Sequence, residues 1–193
     1  MAVVPIYNSF HPVLKNKTKD IEDISDEIVQ LVNNLYDTMY NISNGVGLAA
    51  NQIGDLNSAL VIDTSVGTRN TPRPVTMINP EILETSEEIE SIDEGCLSVP
   101  EFFERVERPE SIKVRYYDLD MHEYVREIGG FLARVMQHEI DHLRGVLFYE
   151  RISPLKRALA KSKLKRIQRG EVVPDYPMIQ ADGTQTGEII EAG

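Results

Sequence analysis

The sequence contains no tryptophan and a single cysteine, Cys96, in 193 residues. One thiol excludes an intrachain disulfide, so the fold must rest on its core, and it fits a reducing compartment. No apolar run approaches the roughly 18 residues of a membrane-spanning helix. The opening Met1-Ala2-Val3-Val4-Pro5-Ile6 lacks the basic lead and apolar stretch of a secretory signal, and no arginine precedes Arg69, which argues against an Arg-rich transit peptide. A cytoplasmic location is the expectation. Positive charge is scarce: 20 Lys and Arg stand against 31 Asp and Glu, a net charge of −11. Such a chain as a whole repels DNA and anionic membrane.

What is present is ordinary globular material, 41% hydrophobic and 26% charged. A chain of this length buries roughly 70% of its unfolded surface and needs no staple. One domain is expected, without repeats or low-complexity segments. Ser25-Asp26-Glu27 reads as a helix start, with a capping serine and acids in the first turn. Ile28, Leu31, Val32, Leu35, Met39 and Ile42 follow as one apolar stripe, and Asn44-Gly45 should end the helix. A second helix is predicted from near Gly130, with a stripe of Leu132, Val135, Met136, Ile140 and Leu143, stopped by Gly145. A third begins at Ser153-Pro154 and runs to about Arg169. Strands are predicted at Ala59–Ile62, Val75–Ile78, Glu87–Ile92, Ser111–Tyr117 and Glu123–Ile128, with residues 64–74 as a loop. Short links between them favour antiparallel pairing. The tail from Glu171 carries two prolines and small polar residues, and its end is expected to be mobile.

The second helix carries His138-Glu139-Ile140-Asp141-His142. Histidines at i and i+4 share one helix face and can grip one metal ion. Glu139 lies about 100° round from His138, placed to touch an activated water without ligating. A solvated helix with two histidines is the plainer alternative. A catalytic site wants a third protein ligand. The extended metalloprotease pattern would put a histidine where Phe148 stands. The third helix offers no acid between Leu155 and Arg169. The remaining candidate is Cys96, in Glu94-Gly95-Cys96-Leu97-Ser98-Val99-Pro100. A lone cysteine is more often a small buried hydrophobe. Gly95 and Pro100 suggest an irregular, exposed strand end, which favours ligation. A third segment, Gly45-Val46-Gly47-Leu48-Ala49-Ala50-Asn51-Gln52, has glycines that permit close approach and suit a loop along a peptide groove. Gln52 could donate to a developing oxyanion, although a single glutamine is more often a surface amide.

The three segments stand in order as G-x-G-L-A-A-x-Q, E-G-C-L-S-V-P and Q-H-E-x-D-H-L-x-G. Together they resemble the peptide deformylase family, whose members remove the N-formyl group from nascent proteins. The resemblance covers roughly Val4 to Arg169, leaving 171–193 as a tail. Position 51, often proline in that family, is Asn here. The position after Pro100, often glycine, is Glu101. Neither is a ligand position, and loop shape near the cleft is what they put in question.

The resemblance implies an α+β fold, antiparallel β-sheets around a central metal-binding helix with N-terminal and C-terminal helices. It implies Cys96, His138 and His142 as ligands, with Fe(II) the usual metal and Zn, Ni or Co able to substitute. The ligand types alone suggest zinc. Glu139 becomes the general base, and Gln52 with the Leu97 N–H the oxyanion donors. A substrate backbone would lie strand-like along Gly45, Val46 and Gly47. Val46, Phe131, Arg134 and Val135 are candidates for a methionine pocket. Glu94 is either the partner of a nearby arginine, orienting the Cys96 loop, or a solvated acid. Asp141 is either a partner of a ligand histidine or a solvated acid. His11 and His122 read as surface residues. An internal-cleaving metallopeptidase is the alternative function, and a metal-stabilised interaction protein is a further one.

The third helix reverses the sign of the chain, with seven Lys and Arg between Leu155 and Arg169 and no acid. Either it is a solvated helix packed through Leu155, Leu159 and Leu164, or it docks on ribosomal RNA.

Overall fold

The computed structural model describes residues 3–43, 45–65 and 74–187. The loop predicted at 64–74 falls largely outside them, as do Asn44 and the last residues of the tail.

Strand β1 (Ile6–Tyr7) leads into a 3-10 turn at Pro12–Lys15 and helix α1 (Asp26–Asn41). Ser25 holds the N-cap position but makes no capping bond to the helix backbone. The whole predicted stripe of α1 is buried, with Ile42 as the C-cap, so the helix ends before Gly45. Strand β2 (Gly47–Ala49) follows, then a 3-10 turn over Ala50–Ile53 and β3 (Ala59–Ile62). Next come β4 (Val75–Thr85), β5 (Ile89–Cys96), β6 (Val99–Pro109), β7 (Ser111–Tyr117) and β8 (Glu123–Gly129). Helix α2 (Gly130–Leu143) is stopped by Gly145, whose φ of +73° suits glycine. Helix α3 (Pro154–Gln168) starts where Ser153 accepts from the Lys156 N–H.

The fold is α+β, as expected. Strands β2, β3, β4, β7 and β8 form a five-stranded antiparallel sheet in the order β2-β3-β4-β7-β8. Helix α1 packs on β2 and β3 through one apolar cluster, and α2 packs on the same sheet through a second. Strands β5 and β6 make a long hairpin that closes on the other side of α2. Strand β6 is not among the predicted strands, because Glu101 to Glu110 alternates charges with apolar residues in a pattern that suits an exposed face as well as a strand.

One expectation needs correction, that of the α3 stripe, and the part of the tail that is described carries structure not predicted from the sequence. The tail is built into the fold at least as far as Gly187. Strand β9 (Met178–Ile179) pairs in parallel with β1, and β10 (Gln185–Thr186) pairs antiparallel with β9. The β1–β9 pairing joins residues far apart in sequence, so local patterning could not reveal it. Helix α3 buries only Leu164 and Ile167, while Leu155 and Leu159 are 71% and 77% exposed.

Candidate metal centre and active site

Helix α2 is buried from Ala133 to Leu143 on every face. Its apolar stripe meets the sheet, and its polar face, carrying Gln137, His138, Glu139, Asp141 and His142, is buried as well. Burying that many polar groups is unfavourable unless each is paired or used.

His138 and His142 stand one turn apart with ring centroids 5.1 Å from each other. The Cys96 sulfur reaches them from the end of β5, 3.1 Å from His142 Nε2. Ligand atoms of Cys96, His138 and His142 all lie within 4.8 Å of one another. Cys96 gets there because the hairpin register breaks at this point: Gly95 faces Phe103, but Cys96 faces Val99. Such a break re-aims a side chain. The predicted irregular strand end is therefore present, and Cys96 is half-buried. The donor set suits a metal. His138 donates its Nδ1–H to Glu94 Oε2 at 2.9 Å, which leaves Nε2 as the free lone pair. Burial holds the His142 imidazole well below its usual range, in the neutral form that ligates.

Glu139 lies outside that trio. Its Oε2 is buried with no hydrogen-bond partner. Burial pushes its carboxyl up to about 7, with the Glu94 carboxylate adding to the rise and His138 and Arg108 opposing it. Gly47 makes room for it, since a β-carbon there would sit 2.7 Å from Glu139 Oε1. Close approach of another backbone, expected at the glycines, occurs at Gly45, where a β-carbon would sit 2.6 Å from the Met39 carbonyl oxygen; at Gly47, in edge strand β2, the close neighbour is the Glu139 side chain.

Gln52 is oriented by the backbone three residues before it. Its Oε1 accepts from the Ala49 N–H at 2.9 Å, so its Nε2 faces Cys96 Sγ at 3.7 Å and Ser98 Oγ at 3.3 Å. The surface-amide alternative does not hold, because Gln52 is buried. Leu97 forms the turn directly after Cys96, and its carbonyl accepts from the Tyr176 hydroxyl at 2.7 Å.

Behind the histidines lies a buried charge network. Arg108 donates to Glu94 at 2.7 and 3.0 Å and to Asp141 at 2.6 Å. Arg134 donates to Glu94 at 2.9 Å, and Arg151 to Asp141. Burial alone would raise the Glu94 carboxyl, but its bonds with His138 and Arg108 outweigh this and hold it well below the usual range. The expected arginine pairing of Glu94 is present twice over. Asp141 touches no histidine and is not solvated, contrary to both expectations. It is buried and acts through Arg108 and Arg151. Asn51 also exceeds its expectation, because its buried side chain donates to the His142 carbonyl. His122 is exposed as predicted but not alone, since Asp118 and Asp120 lie beside it.

A cleft of about 620 Å³ opens over these groups. Gly45, Val46, Gly47, Phe131, Arg134 and Val135 line it, as the sequence reading proposed, together with Ile92, Glu101 and Phe103. Residues Val173 to Tyr176 line it too, and nothing in the sequence reading assigned them to the site. Glu101 has a φ of +56°, in the left-handed region that favours glycine.

The family model for polypeptide deformylase matches residues 3–158. A peptide deformylase of Salinibacter ruber is 40% identical over 188 residues, covering 93% of this chain and 96% of that one. One of Thermotoga petrophila is 46% identical over 159 residues, covering 82% and 92%. The crystal structure of a peptide deformylase from Legionella pneumophila superposes with a TM-score of 0.78 at 35% identity, covering 88% of this chain and 98% of that one. With the three motifs meeting in one cleft and these matches spanning most of its length, the chain belongs to the polypeptide deformylase family.

Proposed function

We propose that Cys96, His138 and His142 hold one divalent metal ion and that Glu139 carries protons beside it, in an enzyme that removes the N-formyl group from newly made polypeptides. Family membership makes the chain a hydrolase of protein biosynthesis acting on nascent formylated chains. The observation that carries the assignment is the trio of ligand atoms within 4.8 Å beside a glutamate that lies outside it with a buried, unpartnered oxygen. The family is metal-dependent. By resemblance to the family we take Fe(II) as the native metal; Zn, which the ligand types alone suggest, and Ni or Co could occupy the same residues. Bound there, the ion would supply Lewis acidity that lowers the pKa of water and draws charge from the formyl oxygen.

The protein's own groups do the rest. Glu139 takes a proton from the water that adds to the formyl carbon. It returns that proton to the α-amine as the C–N bond breaks, giving formate and a free N-terminus. A carboxyl near 7 is matched to both transfers. The oxyanion is held by the Gln52 amide and the Leu97 N–H. The substrate backbone adds to the edge of β2 along Gly45–Gly47, so binding depends little on sequence. Val46, Phe131 and Val135 receive the methionine side chain, and Arg134 forms part of the pocket wall while its charge stays with Glu94. An internal-cleaving peptidase is not favoured: Phe148 stands where the third histidine would be, its ring 5.9 Å from His138.

Residues 1–193 act as a single domain in this reading, supported by Ile6 and Met178 sharing one core cluster. A cytoplasmic site fits the single thiol, and no described helix is long and apolar enough to cross a membrane. Helix α3 docks on ribosomal RNA. Its Lys161, Lys163 and Lys165 form no ion pair among the described residues, and Leu155 and Leu159 face outward. Changing those three lysines to glutamate should abolish salt-sensitive co-sedimentation with ribosomes and spare turnover of a short formyl-peptide. Equal co-sedimentation would leave α3 a surface helix.

The test of the site pairs metal analysis with formate release from a formyl-Met-peptide, on anaerobically purified protein. Cys96→Ala, His138→Ala and His142→Ala should each lose the metal. Glu139→Ala should keep it and lose turnover. A metal-free Glu139→Ala would make Glu139 a ligand rather than the proton carrier.

A further inference from the structure

We propose that Tyr176 is a positioning residue of the deformylation site, fixing the Leu97–Ser98 turn so that the Leu97 N–H points at the oxyanion. The proposal rests on the reading of the site given above. It concerns a residue beyond the stretch matched by the family model, which ends at 158.

The turn after Cys96 is two residues long and joins β5 to β6, with Cys96 opposite Val99. Its backbone is gripped by both ends of the chain. The Ser9 N–H, just after β1, donates to the Ser98 carbonyl at 2.8 Å. The Tyr176 hydroxyl, just before β9, donates to the Leu97 carbonyl at 2.7 Å. Gln52 adds its bond to the Ser98 hydroxyl. The Leu97 N–H therefore lies between two fixed points: Cys96 in the hairpin before it, and its own anchored carbonyl after it. Without the Tyr176 bond, the chain after Leu97 is held only beyond it, at the Ser98 carbonyl and at Val99, and the Leu97–Ser98 peptide itself loses its direct restraint. An oxyanion donor works only when it is aimed before charge develops.

Tyr176 is itself held on both sides. Val172 is buried in a third apolar cluster with Leu164 and Ile167 of α3, the Tyr176 ring packs on the α1 cluster, and Met178 pairs with Ile6 two residues later. Asn8 ties the two ends together, donating to the Ile167 carbonyl at 3.1 Å and to Gln180 Oε1 at 3.0 Å. The phenol thus reaches the turn from a sheet made by the two ends of the chain.

Tyr176→Phe removes one oxygen and keeps the ring. Metal content should match wild type, and the thermal midpoint should fall by no more than about 4 °C, the worth of one neutral hydrogen bond. With a formyl-Met tripeptide, KM should stay within about twofold while kcat falls about tenfold, a part of the 100-fold or more lost with an oxyanion donor itself. Tyr176→Leu, which also removes the ring, should lose at least as much kcat and some stability. An unchanged kcat in Tyr176→Phe, or a fall that tracks lost metal or a lowered midpoint, would overturn the proposal in favour of simple packing. A wild-type protein that releases no formate fails the deformylase reading itself. Wild-type turnover matched by Tyr176→Phe fails only the positioning role.

Discussion

His138 and His142 stand on a helix braced by buried charge, whereas Cys96 and Leu97 stand on a turn braced by neutral hydrogen bonds. On the helix side, Glu94, Arg108, Arg134 and Asp141 form a nearly dry network that ends on His138 Nδ1. On the turn side, Ser9, Gln52 and Tyr176 each supply one uncharged donor. Removing one member of a buried ion network strands the others, while a neutral hydrogen bond is worth about 1 kcal/mol net. The helix half should therefore fail through stability and the turn half through rate.

The sharpest way to break this contrast is Glu94→Ala. It leaves Arg108 and Arg134 buried without their shared carboxylate, and should cost about 3–5 kcal/mol in denaturant unfolding. A cost below about 1 kcal/mol would mean that water reaches the arginines, and the two halves would then be alike. Gln52→Leu is the counterpart on the turn side. Stability should change by no more than about 1 kcal/mol, metal should remain, and kcat should fall about 100-fold. Near-normal formate release would show that the Leu97 N–H suffices alone. The smallest effect is expected at Glu101→Gly. Relief of the positive φ outweighs the extra freedom glycine gains when unfolded, and stability should rise by up to about 1 kcal/mol. A drop in the thermal midpoint would show that the Glu101 side chain makes a contact worth more than the strain.

The helix half was the more legible in sequence. Spacing of i and i+4 put His138 and His142 on one face, and the stripe of α1 was recovered residue for residue because both signals are local. Cys96 came from elimination and resemblance, and the break in hairpin register explains why so plain a residue reaches the histidines. Arg108 was invisible as Glu94's partner, because the pairing crosses 14 residues of a hairpin whose second strand went unread. Tyr176 was harder still. Its partner lies 79 residues away, and the sheet that carries it pairs residue 6 with residue 178. No periodicity encodes such a pairing. Leu155 and Leu159 misled in the opposite direction: their spacing fits a buried stripe, yet only Leu164 and Ile167 find a core to enter.

Pairing of β1 with β9 ties the reaction centre to the part of a protein that ordinarily opens most readily. Chain ends fray at low free energy, well below that of global unfolding. Here, parting β1 from β9 would loosen the Ser9 and Tyr176 grips on the turn while leaving α2 and its charge network closed. In the proposed reading, the lifetime of the set turn is then bounded by the opening equilibrium of the β1–β9 pair. Amide exchange at Asn8, whose N–H bonds the Ile179 carbonyl, should report that equilibrium directly. Conditions that speed exchange there, without touching the amides of α2, should lower turnover in proportion.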